Sequence, residues 1–298
     1  MSRLFEALTR GQEVGPVKDL GVLLEGQAEG CAPPSEADPE TIDIPVAPPD
    51  LAPGIRTTQL RVPLRGPVLP FDGSHWKAGE QYRILRTKIV QHLKMPQVVV
   101  ITSPGPGDGK SVTAVNLAAS LALKSDSRVL LIDADFRRST IARQLGLATE
   151  PSLAEVLASE RPFTDCLLRA QQVPNLYIMT AGATTVNPVE LLDSARWRAL
   201  IEFARVEFEY VVIDSPPIGA VADYELIQAV CDGAILVARP DHSDRQTCFR
   251  ALDVIGRDKM LGVVLNCVTE WFLGNKNAYS GYFQYAAGTP ENQPRHKV

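Results

Sequence analysis

Residues 103–111 read Ser-Pro-Gly-Pro-Gly-Asp-Gly-Lys-Ser, and no other run restricts the possible folds of this chain as strongly. An apolar, β-branched run at 98–102 stands directly before it and a helical pattern at 111–124 directly after it. A strand that ends in a glycine-rich turn and restarts as a helix forms a cradle for an anion. Gly105, Gly107 and Gly109 let backbone N–H groups turn inward on phosphate oxygens, Lys110 can reach the β- and γ-oxygens, and the Ser111 hydroxyl can sit on Mg²⁺. The strict form of such a loop has glycine at 104, where this chain has Pro104. A bare Gly/Pro turn with a helix cap would explain the glycines but not Gly109-Lys110-Ser111 opening a helix after a β-run.

Further short apolar runs lie at 129–132, 176–180, 210–213, 234–238 and 261–265, separated by helical stretches such as 188–208. That alternation predicts an α/β fold with a mostly parallel sheet covered by helices on both faces. The second run ends in Asp133-Ala134-Asp135 and a later one in Asp214-Ser215-Pro216-Pro217, which puts three carboxylates at the C-terminal strand edge where such sheets take ligands. Acids there can hold a metal or its waters, and one of them can accept a proton from an attacking nucleophile. Each alone could equally cap the next helix.

A helix is expected over 80–93, with Tyr82, Leu85, Ile89 and Leu93 at helical spacing, and order is expected from His75 on. Upstream, 14–70 is proline-rich and acidic, so 1–74 reads as a largely disordered linker, with 2–9 either a short amphipathic helix or a frayed terminus. The catalytic domain is expected over 75–270, and 271–298, rich in Gly, Asn, Tyr and Gln, as a mobile tail.

With 45% hydrophobic residues, one full core can be buried. A formal charge of -5 without a basic run argues against a nucleic-acid partner. The five cysteines, Cys31, Cys166, Cys231, Cys248 and Cys267, are scattered and fit reduced thiols in a cytoplasm. No apolar run is long enough to span a membrane.

These motifs resemble, in order, those of the bacterial tyrosine kinases, a P-loop NTPase family that partners capsule and exopolysaccharide export. The segments that carry the resemblance are Pro106-Gly107-Asp108-Gly109-Lys110, Leu131-Ile132-Asp133-Ala134-Asp135-Phe136-Arg137, Tyr210-Val211-Val212-Ile213-Asp214-Ser215-Pro216-Pro217, Asn187-Pro188-Val189-Glu190-Leu191-Leu192 and Leu261-Gly262-Val263-Val264-Leu265-Asn266. The related partitioning and division-site ATPases carry a signature lysine five residues before the loop lysine, and this chain has Gly105 there. The kinases usually have proline two residues after the arginine of the acidic motif. Ser139 stands there instead, a departure expected to leave the chemistry untouched.

The resemblance implies an ATP- and Mg²⁺-dependent protein-tyrosine kinase. Its nucleotide would be held by Gly105, Gly107, Asp108, Gly109, Lys110, Ser111, Val112 and Asn266. Lys110 would neutralise phosphate charge, Ser111, Asp135 and Asp214 would hold the metal, and Asp133 would be the base. Glu80, Arg83 and Arg86 match the family's Glu-x-x-Arg-x-x-Arg motif and would join subunits into a ring, although by spacing alone a local ion pair on a solvated helix is the better reading. Tyr279, Tyr282 and Tyr285, three of seven tyrosines, would be the phosphoacceptors, or else an aromatic docking tail. A membrane co-polymerase that activates the kinase through its cytoplasmic tail, and a phosphotyrosine phosphatase, are the implied partners, with recruitment to the inner face of the membrane. The competing readings are an ATP-binding scaffold without phosphotransfer and a cytoskeletal-type ATPase.

Overall fold

The computed structural model describes residues 54–62, 76–159, 161–219 and 222–268. The expected linker apart from 54–62, and the tail with Tyr279, Tyr282 and Tyr285, lie outside them.

Among the described residues, eight strands form one sheet: β1 (Arg56–Thr58), β2 (Val98–Thr102), β3 (Val129–Asp133), β4 (Leu168–Ala170), β5 (Leu176–Met179), β6 (Tyr210–Asp214), β7 (Gly233–Ala238) and β8 (Met260–Leu265). Their order is β1-β4-β5-β3-β6-β2-β7-β8, and every pair is parallel except β4 with β5. The helices are α1 (Trp76–Val90), α2 (Lys110–Leu121), α3 (Ile141–Leu145), α4 (Leu153–Ala158), α5 (Pro188–Leu192), α6 (Ala195–Glu207), α7 (Asp223–Ala229) and α8 (Arg245–Ile255).

Strand side chains alternate between two cores, as a pleated strand covered on both sides requires. Val98, Val100, Leu130, Ile132, Val211 and Ile213 face the layer of α4 to α8, with Trp197, Tyr224 and Ile255 fully or almost fully buried. Val99, Ile101, Val129, Leu131 and Val212 face α1, α2 and α3. Helix α2 is buried along nearly its whole length, because α1 lies over it on the side away from the sheet. The loop before α2 therefore sits on a rigid base.

Three elements depart from the expectations. Residues 54–62, placed in the linker by composition, add β1 to the sheet edge, where Thr58 pairs with Ala170 and Leu60 is buried. Gln172 holds this segment, its Oε1 accepting from the Leu60 N–H at 2.9 Å and its Nε2 donating to the Leu60 carbonyl at 2.8 Å. The stretch 188–208 is two helices, because the Ser194 Oγ accepts from the Trp197 N–H at 3.1 Å and starts α6 afresh. Helix α1 begins at Trp76 and ends at Val90, so Leu93 falls beyond it and is almost fully exposed.

Candidate active site

The chain leaves β2 toward β3 on one side and later reaches β7 on the other, so the crevice at the C-terminal end of β2 is the switch point where such sheets bind ligands. The 103–111 turn fills it. Gly109 adopts φ 95°, and a Cβ there would lie 1.9 Å from Asn266 Nδ2, so only glycine fits. Helix α2 then starts at Lys110 with no side-chain cap, leaving its first N–H groups, those of Ser111 and Val112 among them, without intrahelical partners. An anion at this helix N-terminus would satisfy them.

The acids come together by register. Asp133 on β3 and Asp214 on β6 are direct partners across the sheet, and Asp135 follows two residues after Asp133. Lys110 Nζ reaches back over them, 2.8 Å from Asp135 Oδ2, 3.5 Å from Asp214 Oδ1 and 3.3 Å from Ser111 Oγ. All three carboxylates are buried. Burial pushes the Asp214 carboxyl up to about 7 against the pull of Lys110, with the neighbouring Asp133 and Asp135 adding to the rise. Burial also raises Asp133. For Lys110, burial acts to lower the ammonium, and Asp214 and Asp135 more than reverse it.

Asp214 Oδ2 is buried and has no hydrogen-bond partner. A carboxylate oxygen left bare beside a lysine, a serine hydroxyl and an uncapped helix N-terminus suits a divalent cation that accompanies a phosphate, since Mg²⁺ takes one or two carboxylates and completes its shell with water and phosphate oxygens. The donor set of Ser111, Asp135 and Asp214 fits that ion.

Asp133 is differently placed. Its Oδ1 accepts from the Asp135 N–H at 3.2 Å, and its Oδ2 from Ser139 Oγ at 2.9 Å and the Ile141 N–H at 3.2 Å. Ser139, which stands where the kinases usually have proline, therefore hydrogen-bonds the candidate base directly. Three of the roughly four acceptor sites of Asp133 are used, which leaves one on Oδ1 for a proton.

Three contacts bear on the expected nucleotide set. The Gly105 N–H is not free for phosphate: it donates to Asp108 Oδ2 at 3.0 Å. Asp108 itself turns inward and is fully buried, so its side chain shapes the loop and does not face an anion. Asn266 donates from Nδ2 to the Asp108 carbonyl at 2.9 Å and accepts at Oδ1 from the Cys267 N–H, so it braces the loop from behind. His242 and Ser243, which also hold Asp108, carry no motif or periodicity that sequence reading could detect.

On α1, the exposed Arg83 pairs at 2.8 Å with Glu80, which is partly exposed. Arg86 donates to the Ser120 carbonyl at 3.3 Å, at the C-terminal end of α2 in its own chain. Of the cysteines, Cys166, Cys231, Cys248 and Cys267 are free thiols. Among the described residues no helix is long and apolar enough to cross a membrane.

Residues 96–241 match the AAA domain family, whose fold implies nucleotide binding. The chain is 34% identical over 197 residues to the tyrosine-protein kinase CpsD of Streptococcus agalactiae, covering 65% of this chain and 85% of that protein. It is 35% identical over 191 residues to the tyrosine-protein kinase YwqD of Bacillus subtilis, covering 63% and 80%. The crystallised kinase domain of the Escherichia coli tyrosine kinase ETK superposes with a TM-score of 0.56 at 29% identity, over 63% of this chain and 75% of that one. At 34–35% identity over 80–85% of the length of these named kinases, the chain belongs to the bacterial tyrosine-protein kinase family.

Proposed function

We propose that this chain transfers the γ-phosphoryl group of ATP to protein tyrosines, its own Tyr279, Tyr282 and Tyr285 among them, and does so between neighbouring copies. The observation that carries the proposal is the Lys110 ammonium poised between Asp135 and Asp214 beside the bare Asp214 Oδ2, at the mouth of a phosphate loop.

ATP would bind with its phosphates on the N–H groups of Gly107, Asp108, Gly109, Lys110, Ser111 and Val112, and Lys110 would exchange its carboxylate partners for phosphate oxygens. Mg²⁺, held by Ser111, Asp135 and Asp214, would supply charge neutralisation on the phosphates. The tyrosine Oη attacks the γ-phosphorus, its bond to phosphorus forms as the bond to the leaving ADP oxygen breaks, and the phenol proton passes to Asp133. A carboxyl raised by burial is a better acceptor for that proton than one in water. The Ser139 and Ile141 donors hold it in place.

The regulatory setting follows from the family. The chain would act on capsule or exopolysaccharide production, recruited to the inner face of the membrane by a co-polymerase whose cytoplasmic tail activates it, and a phosphotyrosine phosphatase would reset it. Glu80, Arg83 and Arg86 would join copies into a ring. The exposure of Arg83 and the partial exposure of Glu80 support this, and Arg86 would have to share its guanidinium between Ser120 and a neighbour.

The test is to incubate the purified full chain with Mg-ATP, with and without synthetic tails of candidate activators, and to probe for phosphotyrosine. Phosphotyrosine that needs both Mg²⁺ and ATP is expected. ATP binding without any phosphotyrosine, in every activator arm, would favour the scaffold reading.

A further inference from the structure

Asp108 in the 103–111 loop turns its charged side chain into the protein, and it is met there by residues more than 130 positions away. Its Oδ2 accepts the Gly105 N–H at 3.0 Å, closing the loop on itself. Its Oδ1 lies 2.9 Å from His242 Nδ1 and accepts from Ser243 Oγ at 2.7 Å. Because a carboxylate oxygen accepts, the His242 ring presents Nδ1–H to it. The same ring lies against Gly107, where a Cβ would stand 3.4 Å from the His242 Cε1.

The segment that supplies these donors is itself rigid. The Arg239 carbonyl accepts from the His242 and Ser243 N–H groups at 3.0 and 2.7 Å, and Ser243 Oγ accepts from the Arg239 N–H at 2.8 Å while donating to Asp108. Both hydroxyl functions of Ser243 are thus in use. On one side the turn is continuous with the buried strand β7, and on the other Asp244 caps α8, accepting from the Thr247 N–H at 2.9 Å.

We propose that the 239–243 turn is a latch for the phosphate loop, with His242 and Ser243 as positioning residues that hold Asp108 and so keep the loop's remaining N–H groups set for phosphate before nucleotide arrives. This rests on the nucleotide-site reading above and adds to it what organises the site. A loop held ready by the protein does not have to be ordered by its ligand, so the latch acts on affinity. Neither side chain touches the acids or Lys110, so the transfer step itself is left as it is.

Four variants of the full chain separate these effects: Ser243→Ala, His242→Phe, which keeps a ring over Gly107 without a donor, their double, and His242→Asn, whose amide can place an N–H where Nδ1 stands. The Kd for Mg-ADP is read by calorimetry, KM and kcat for ATP by autophosphorylation, and the nucleotide-free Tm by calorimetric scan. The double variant is expected to raise Kd and KM by about tenfold, with kcat within about twofold and the nucleotide-free Tm within about 2 °C of wild type. His242→Asn is expected to stay close to wild type. The latch is overturned if the double variant binds Mg-ADP as wild type does, if His242→Asn is as weak as His242→Phe, if kcat falls while KM holds, or if the nucleotide-free Tm falls in step with affinity, which would mark a general structural role. A wild-type chain that does not bind Mg-ADP would overturn the nucleotide-site reading, and the latch with it.

Discussion

Asp214 lies between two demands: it is buried with one oxygen bare, and its carboxyl is pushed up to about 7. The folded chain therefore keeps a proton on Asp214 up to about pH 7, whereas the unfolded chain loses it near the ordinary carboxylate value of 3.8. A group raised in this way contributes stability at low pH that is lost as pH rises toward the folded value. Asn does not titrate, so Asp214→Asn should raise the Tm of the nucleotide-free protein by a margin that grows from pH 5 to pH 8. It should also weaken Mg-nucleotide binding. Scanning calorimetry across that range checks it, and a margin that shrinks as pH rises would refute the assignment. Lys110→Met should reduce tyrosine phosphorylation by about 100-fold or more while circular dichroism stays native, since the lysine stabilises charge in transfer and Asp214, whose proton the ammonium works to displace, holds it more firmly without that neighbour. Full activity in a folded variant would remove Lys110 from the site. Asp133→Asn should bind nucleotide within a few-fold of wild type yet suppress transfer, because the amide keeps the shape but cannot accept the phenol proton. Loss of binding would move Asp133 to the metal. The three acids lie together because two close apolar runs and the third follows one, and Lys110 joins them because a glycine-rich turn after such a run opens a helix. The contacts of Asp108 with His242 and Ser243 were not legible in the sequence, because short polar residues in turns carry no period and the contacts span 134 and 135 positions.

At the scale of elements, the six apolar runs read from sequence became β2, β3, β5, β6, β7 and β8, since a strand buried on both faces advertises itself by composition. The two missed strands, β1 and β4, are three residues long and contain Arg56 and Arg169. Their pairing is decided by tertiary context: β4 takes both β1 and the reversed neighbour β5. The break between α5 and α6 was missed for another reason, since Ser194 acts through a single hydroxyl, donating to the Leu191 carbonyl and accepting from the Trp197 N–H, that helix-forming neighbours conceal. Ser194→Ala should cost about 1 kcal/mol of stability. Urea unfolding measures it, with KM for ATP expected to stay at the wild-type value. A loss below about 0.3 kcal/mol would mean that packing of Trp197 alone starts α6.

Among the described residues, α1 carries Glu80, Arg83 and Arg86 on the layer outside α2, the helix that opens at Lys110. If these residues assemble copies, Arg83→Glu with Arg86→Glu should leave a monomer by light scattering and slow autophosphorylation without changing the Kd for Mg-ADP. Unchanged mass, or wild-type phosphorylation in the dissociated variant, would separate assembly from catalysis. Phosphates on all three tail tyrosines would add roughly -4.5 to -6 charges to one segment, so phosphorylated wild type should be less assembled than a triple Tyr→Phe chain. The central claim is that the Lys110 site of one copy phosphorylates the tyrosines of another. The most direct measurement mixes Lys110→Met, which keeps its tail, with the triple variant Tyr279→Phe, Tyr282→Phe and Tyr285→Phe, which keeps its active site, and maps phosphates by mass spectrometry after Mg-ATP and activator tail are added. Phosphate on Tyr279, Tyr282 or Tyr285 of the Lys110→Met chain is the predicted result. A mixture in which those tyrosines stay unmodified, while wild type alone becomes phosphorylated, would contradict transfer between copies.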